Sequence, residues 1–153
     1  LRLSLDALQA ANTTLQNRFS PELGRRAAEI FVDMTGSTWS HILLDREFHL
    51  SAESGSDPTR RSVQLLSAGT ADQLYLAVRL AICEMILPPE QNPPLILDDA
   101  LLTFDDARLS TTLNYLTQLG AQRQILLFTC QGREAALLRG HPGVHITNLT
   151  QST

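Results

Sequence analysis

The first part of the chain carries two apolar patterns of helical period. The first advances in alternating steps of four and three residues through Leu5, Leu8, Leu15 and Phe19, with Asn12 in the remaining position. This heptad spacing predicts the end of a coiled coil over residues 1–19, with Asn12 at a core position. The run covers under three heptads, so an ordinary amphipathic helix packed on a domain is an equally good interpretation.

A second helix is predicted to begin at Ser20-Pro21-Glu22. Serine is a good N-cap, proline fits the first helical position, and glutamate suits the positive end of the helix dipole. The helix should cover residues 21–34, with a buried face formed by Leu23, Ala27, Ile30, Phe31 and Met34. Residues 1–19 and 20–153 are therefore predicted to be two structural parts.

The pattern then changes to extended segments. Residues 41–44 and 47–52 predict two strands of a small antiparallel unit, with Asp45-Arg46 as the turn between them. Residues 53–61 are polar and include a glycine and a proline, so they are predicted to form a loop. A brief strand is predicted to follow over residues 62–65.

From residue 66 onward, helices and strands alternate. Helices are predicted over residues 70–87, 106–119 and 133–138, and strands over residues 95–97, 125–128 and 144–146. Strands that alternate with helices usually form a parallel sheet covered by helices. The predicted fold class is therefore α/β, with a mostly parallel sheet flanked by helices, an N-terminal helix and the small antiparallel unit.

Composition limits the size and the chemistry of this domain. A chain of 153 residues that is 43% apolar can close one core, so we expect one domain or one lobe of a larger one. The formal charge of −4 leaves no basic stripe for nucleic acid. All 12 basic residues are arginine, which excludes the phosphate-binding lysine of a P-loop within this chain.

Neither the cysteines nor the apolar runs point to an unusual compartment. Cys83 and Cys130 lack the spacing of a zinc site or a disulfide framework, so buried, reduced thiols are expected. No apolar run has the length of a membrane span and no signal-peptide pattern is seen, so a cytoplasmic location is predicted. The chain begins with Leu1 rather than methionine, which suggests a piece of something longer.

Two segments have the chemistry of a nucleotide site. An apolar strand ends in the carboxylates Asp98 and Asp99, which suit a hydrated magnesium ion and a water beside a phosphate. Earlier in the chain, the small-residue turn from Leu66 to Thr70 opens a helix, where free N–H groups and the helix dipole can receive an anion. Each segment alone also has a simpler explanation, as an acidic turn or a helix cap.

The turn resembles the signature motif of ABC-class ATPases, and more narrowly that of SMC-like, coiled-coil ATPases of DNA repair and chromosome maintenance. The matching segment reads Leu66-Ser67-Ala68-Gly69-Thr70-Ala71-Asp72-Gln73. In that family the signature serine and glycine bind the γ-phosphate of an ATP held by the opposite subunit. The resemblance therefore assigns this role to Ser67 and Gly69, and makes Leu66, Ala68 and Gln73 the rest of the ATP-binding turn.

The acidic strand resembles the Walker B strand of the same family. The resemblance implies that Asp98 supports Mg²⁺ and that Asp99 polarises the water that attacks ATP. Many members of the family carry glutamate at the second position, whereas Asp99 is shorter by one methylene group. The shorter side chain bears on the rate of hydrolysis that this site could reach.

Two later segments resemble the remaining motifs. Phe104-Asp105 matches the D-loop, which crosses the dimer interface and couples the two ATP sites, and Asp105 is the residue it implicates. Asp106 is predicted to cap the following helix. The strand over residues 125–129 resembles the one that leads to a switch histidine. Gln131 takes that place here, and its amide can donate to phosphate or water but cannot carry a proton.

The resemblance implies a function that this chain does not complete alone. It would be the C-terminal lobe of a P-loop NTPase-like ATPase head, completed by an N-terminal P-loop lobe of the same protein and by a second head in a homodimer. ATP and Mg²⁺ would be its cofactors. DNA would be bound in the full assembly, a nuclease is a candidate partner, and no membrane is involved.

Two other functions fit parts of the pattern. A non-catalytic, nucleotide-dependent interaction lobe is the main alternative, because Asp99 and Gln131 replace stronger catalytic residues. A phosphoacceptor receiver domain also places paired acids after a strand. It needs a lysine on a later strand, however, and this chain has none.

Overall fold

The computed structural model describes residues 2–36, 39–44, 49–54, 57–87 and 92–149. The chain forms two compact units, Leu1–Pro89 and Glu90–Thr153. Both combine helices with a small sheet, so the α/β fold class predicted from the sequence is confirmed. Among the helices that the structure describes, none has the length and apolar character needed to cross a bilayer.

In its described residues, the first unit contains two α-helices and an antiparallel sheet. Its elements are α1 (Arg2–Thr35), β1 (Trp39–Leu44), β2 (Leu50–Ser54), β3 (Asp57–Ser62), a 3₁₀ turn (Val63–Leu65) and α2 (Ala68–Ile86). The central strand β2 pairs antiparallel with both neighbours, so that Ala52 lies opposite Ile42 and Arg61. The predicted antiparallel unit is confirmed, whereas its predicted turn, Asp45-Arg46, lies outside the described residues.

Apolar faces of α1 and α2 supply most of the core of this unit. The buried apolar side chains in the described part of α1 are those that the sequence predicted, namely Leu23, Ala27, Ile30, Phe31 and Met34. Those of α2 are Leu74, Leu76, Ala77, Leu80 and Ala81. Steps of three and four residues place each set along one helix face. Full burial of a large apolar side chain stabilises the fold by roughly 1.5–3 kcal/mol.

Helix α1 passes through Pro21 without a break, so the predicted start of a new helix at Ser20 is wrong. A proline inside a helix removes one backbone hydrogen bond and costs about 3 kcal/mol, but burial of the apolar face that follows offsets this cost. Ser20 does not act as a cap, because its buried Oγ has no hydrogen-bond partner among the described residues. The helix predicted over residues 1–19 is confirmed from Arg2 onward, and its coiled coil stays a prediction.

The loop predicted over residues 53–61 is also wrong, because β2 and β3 occupy most of this segment. Pro58 lies in β3, which is an edge strand of the described sheet. Proline is tolerated in an edge strand, where its missing N–H can face away from the ladder. The strand predicted over residues 62–65 is instead the end of β3 and the 3₁₀ turn, which precedes the start of α2.

The second unit is a strand–helix–strand unit followed by a short helix. Its elements are β4 (Leu95–Asp98), α3 (Asp106–Leu119), β5 (Ile125–Phe128) and α4 (Gly132–Leu138). The two strands are parallel, with Leu95 opposite Ile125 and Asp98 opposite Phe128. Both strands therefore end at the same edge of the sheet, and the acidic pair lies beside the segment that follows β5.

The strand predicted over residues 144–146 is wrong, because this segment joins no ladder of the described sheets. It begins with a turn in which the N–H of Val144 donates to the carbonyl of His141 at 3.2 Å. Gly140 and Gly143, at φ 79° and 80°, bend the chain on either side of that histidine. Apolar residues form a strand only where a neighbouring strand pairs with their N–H and C=O groups.

Candidate functional site

Ser67 is the N-cap of α2. Its backbone is extended at φ −62° and ψ 152°, and its Oγ accepts a hydrogen bond from the N–H of Thr70 at 3.3 Å. The Ser67 carbonyl accepts from the N–H of Ala71 at 2.9 Å and so begins the helical ladder. The helix cap that the sequence allowed for this turn is therefore present.

Capping leaves the Ser67 hydroxyl able to donate to a ligand. The Oγ of Ser67 and the Oγ1 of Thr70 are 2.8 Å apart, and either atom can be the donor. When Thr70 donates, Ser67 accepts twice and its own hydrogen is available. Ser67 and Ala68 are exposed, so the hydroxyl lies within reach of solvent at the positive end of a 19-residue helix.

The other residues of the motif are less accessible than Ser67. Leu66 is half-buried and Gly69 is buried. Gln73, four residues after Gly69 and on the same helix face, is only 1% exposed. Its amide therefore lies inside the protein.

Asp98 and Asp99 end β4 with different backbone geometries. Asp98 belongs to the strand, and its exposed carboxylate has no hydrogen-bond or ion-pair partner among the described residues. The N–H of Asp99 donates to the carbonyl of Phe128 at 2.9 Å, which extends the strand pairing by one residue. The φ of Asp99 is 46°, in the left-handed region. This conformation is uncommon outside glycine, although aspartate adopts it more readily than most residues.

Asp99 contacts the segment that follows β5. Its Oδ1 accepts from the N–H of Cys130 at 3.2 Å, while the N–H of Gln131 donates to the Oγ1 of Thr129 at 3.0 Å. The structure thus brings Asp99 close to Gln131, the other residue predicted to be catalytic. Cys130 is exposed, so its predicted burial is wrong, and Cys83 is only half-buried. A strand-to-helix turn at the sheet edge leaves the Cys130 thiol open to solvent.

Asp105 rather than Asp106 caps α3. Its backbone is extended at φ −72° and ψ 169°, and its Oδ1 accepts from the N–H of Arg108 at 2.9 Å. Its carboxylate also pairs with the Arg108 guanidinium. The predicted cap at Asp106 is wrong, because Asp106 is already helical and its side chain is 96% exposed. Asp105 therefore stabilises the first turn of α3 in addition to any contact it makes elsewhere.

Arg133, which no sequence motif singled out, connects the segments after β4 and β5. Its Nη1 donates to the carbonyl of Phe104 at 2.6 Å, and its Nη2 donates to the carbonyls of Leu101 and Leu102 at 3.2 Å each. An arginine in the first turn of a short helix usually suggests a surface charge. Only the fold shows which carbonyls lie within its reach.

The chain is similar in sequence to one protein of Bacillus subtilis (strain 168), described as uncharacterized protein YhaN. The two are 34% identical over 111 residues, or 72% of this chain. The chain spans only 11% of that protein's length. No protein-family model matches the chain.

Solved SMC structures share its fold. One, described in terms of ATP-driven dimerization and DNA stimulated activation of SMC ATPases, has a TM-score of 0.66 at 18% identity, covering 82% of this chain and 76% of that one. The SMC head domain of Thermotoga maritima has a TM-score of 0.61 at 16% identity, and the match covers 84% of this chain and 44% of that one. The Smc head domain of Pyrococcus furiosus, bound to the C-terminal domain of ScpA, has a TM-score of 0.59 at 17% identity. This match covers 87% of this chain and 35% of that one. The chain therefore has the fold of the C-terminal lobe of an SMC ATPase head.

Proposed function

We propose that the chain is the C-terminal lobe of an ATPase head that hydrolyses ATP between two engaged heads. An N-terminal P-loop lobe of the same protein completes each head, because this chain has no lysine to grip a phosphate. The observation that carries the proposal is the hydrogen bond between Asp99 and Cys130. It holds an acid close to Gln131, the residue proposed as the γ-phosphate sensor, on a fold shared with SMC heads.

Asp98 is the proposed Mg²⁺ ligand. Among the described residues, no group of three or more His, Cys, Asp or Glu side chains is placed to hold a metal ion. The exposed carboxylate of Asp98 still fits Mg²⁺, which commonly binds one or two carboxylates together with nucleotide phosphates and water. When bound, Mg²⁺ would neutralise charge on the phosphates of ATP.

Asp99 is the proposed group that orients the attacking water. One of its oxygens accepts from the Cys130 N–H, which leaves the other oxygen to accept from a water. Its left-handed backbone turns the chain immediately after Asp98, so two neighbouring acids can serve two different roles. The exposed Gln131 is proposed to donate its amide to the γ-phosphate or to the water.

Ser67 and Gly69 are proposed to bind the γ-phosphate of an ATP held by the second head. The support is the Ser67 hydroxyl at the positive end of α2, whose hydrogen is available to a ligand when Thr70 is the donor between the two hydroxyls. Leu66 and Ala68 flank this hydroxyl in the chain, and Gln73 is buried on the same helix face as Gly69. Residues 66–73 include no lysine or arginine to bind the phosphates, which fits a role that begins when the heads engage.

Asp105 is proposed to lie at the same interface between heads. Its side chain is 51% exposed although it caps α3 and pairs with Arg108. A contact made there by the second head would therefore act directly on the first turn of α3. This arrangement supports a role in coupling the two ATP sites.

The proposed process is DNA repair or chromosome maintenance, in the cytoplasm, with DNA bound by the full assembly and a nuclease as a candidate partner. The support is the fold, together with the DNA stimulated activation described for SMC ATPases of similar structure. Because this chain carries a formal charge of −4, most contacts with DNA phosphates would come from other parts of the assembly.

Turnover measurements test this proposal. The chain alone should hydrolyse ATP negligibly, and the head assembled with its P-loop lobe should show Mg²⁺-dependent turnover. Asp99→Asn should lower that turnover by about a hundredfold or more while ATP stays bound. Asp33→Asn, an exposed aspartate on α1, is the matched control and should leave turnover unchanged. Robust hydrolysis by the chain alone would overturn the proposal.

A non-catalytic interaction lobe is the second candidate function. It is favoured by Asp99, which is one methylene group shorter than the glutamate common at this position, and by the inability of Gln131 to carry a proton. Under this alternative, ATP would still drive dimerisation of the assembled heads. Nucleotide-dependent dimerisation without measurable turnover in the full protein would favour it over hydrolysis.

A further inference from the structure

Arg133 holds the loop that carries the acidic residues. We define the acidic loop as residues 99–105, between β4 and α3. The guanidinium donates to three of its carbonyls, at distances of 2.6, 3.2 and 3.2 Å. Two of these carbonyls belong to Leu101 and Phe104, whose side chains are each 2% exposed. The contact therefore fixes a part of the loop that is itself anchored in the core.

The acidic loop is attached at both ends to the segment after β5. At its start, Asp99 accepts from the N–H of Cys130 at 3.2 Å. At its end, Arg133 bonds the carbonyl of Phe104, the residue before the α3 cap Asp105. Gln131 lies between these two attachments in the chain. Arg133 thereby limits how far Asp99 and Asp105 can move relative to Gln131.

Glu134 is a buried counter-charge for this arginine. Its side chain is only 2% exposed, and its Oε1 lies 3.6 Å from the Nε of Arg133. Both carboxylate oxygens and that Nε lack a hydrogen-bond partner among the described residues. The Asp106 carboxylate lies 3.8 Å from Nη1. These negative charges favour a cationic side chain at this position. The planar guanidinium of arginine has several N–H donors and can bond several carbonyls at once, whereas the ammonium of lysine acts as a single point charge.

We propose that Arg133 is a positioning residue for ATP hydrolysis, which sets the acidic loop against Gln131. This inference rests on the proposed function, because the chemistry belongs to Asp99 and its water. Arg133 itself makes no contact with the carboxylate of Asp99 and acts through the backbone of the loop. Its loss should therefore misplace the hydrolytic group and leave nucleotide affinity, which depends mainly on the P-loop lobe, intact.

Hydrogen–deuterium exchange on this chain tests the geometric step. The N–H of Phe104 donates to the carbonyl of Leu101 at 3.2 Å, inside the turn that Arg133 holds. Arg133→Ala should speed exchange in residues 101–105 about tenfold or more, and Arg133→Lys should give an intermediate rate. Arg139→Ala, which removes an exposed arginine at the end of α4, is the matched control and should leave exchange in the loop unchanged. Unchanged exchange in the loop of Arg133→Ala would overturn the inference, as would equal acceleration in β4.

Steady-state kinetics of the assembled head test the catalytic step. Arg133→Ala should lower kcat about tenfold at nearly unchanged KM for ATP, because a small misplacement of a reacting group costs rate rather than binding. Arg133→Lys should recover part of kcat. If the parent head is active and the Arg133→Ala head keeps the full kcat, this inference is overturned while the proposed function stands. A parent head without any turnover would instead overturn the proposed function, and the catalytic role of Arg133 with it.

Discussion

At the scale of single residues, Asp99 combines an unfavourable backbone conformation with a hydrogen bond to its side chain from the N–H of Cys130. A φ of 46° costs a non-glycine residue roughly 1–2 kcal/mol, and the hydrogen bond from Cys130 offsets part of that cost. Residues held in such conformations tend to occur at functional sites. Asp99 therefore stands apart from Asp98, which continues a regular strand one residue earlier.

Substitutions at Asp99 should reveal this backbone strain. Asp99→Gly is expected to be about 1 kcal/mol more stable than Asp99→Ala, because glycine adopts positive φ without steric cost. Asp99→Asn should stay within about 0.5 kcal/mol of the parent, since its amide oxygen can accept the same N–H. Urea unfolding of the chain measures these free energies. At the control position Asp98, in a strand, the order of glycine and alanine should reverse. Equal stability of Asp99→Gly and Asp99→Ala would contradict a left-handed Asp99.

Residue types predicted which side chains are candidates for the chemistry, but not how these side chains are held. The sequence pointed to Asp98, Asp99 and Gln131, yet the contact between Asp99 and Cys130 spans 31 positions and depends on strand pairing. The cap of α3 was assigned to the wrong one of two adjacent aspartates, because neighbouring acids at a helix start are chemically equivalent candidates. The carbonyls bound by Arg133 have no side-chain signature at all.

At the scale of elements, an ion pair joins α1 to α2. The Nε of Arg26 donates to the Oε2 of Glu84 at 2.5 Å, and about a third or less of either side chain is exposed. On the outer face of α1, Arg25 pairs with Glu22 at 2.5 Å. The hydrogen bond from Arg25 lowers the pKa of Glu22, and the nearby positive charge adds to this effect. Of these two ion pairs, the one between Arg26 and Glu84 joins two helices, so it can add to the apolar packing of α1 on α2.

A double-mutant cycle should separate the two pairs. Alanine substitutions of Arg26 and Glu84, singly and together, are expected to give a coupling energy approaching 1 kcal/mol in urea unfolding, because the pair is partly buried. The Arg25 and Glu22 cycle is the control and should give a smaller coupling energy, since that pair is exposed to solvent. The Arg25 coupling should also fall more steeply with added salt. No measurable coupling between Arg26 and Glu84 would contradict this packing of α1 on α2.

Elements that local sequence signals mark were predicted well from the sequence. Elements whose structure depends on packing or strand pairing with other parts of the chain were not. Both α3 and β5 have the predicted bounds, because capping residues and an apolar run mark them locally. Pro21 was interpreted as a helix start, although packing of the following face keeps α1 continuous. The strand β3 was missed because its residues are polar and include Pro58, which an edge strand accommodates.

At the scale of the whole molecule, the two candidate half-sites belong to different compact units. Ser67 and Gly69 lie in Leu1–Pro89, whereas Asp98, Asp99 and Gln131 lie in Glu90–Thr153. Neither group has a lysine or a glycine-rich phosphate loop beside it in the chain. Under the proposed function, the acids serve an ATP held in their own head, while the serine and glycine serve an ATP held by the partner head.

Mixing two inactive variants tests this division of roles between the two heads. Heads carrying Ser67→Arg should fail to engage, and heads carrying Asp99→Asn should engage without hydrolysis. In a mixed dimer, one composite site would combine both defects and the other would have neither. Equal mixing should therefore restore about a quarter of parent ATP turnover if the sites work independently. Mixtures that stay as inactive as each variant alone, although mixed dimers form, would contradict the account.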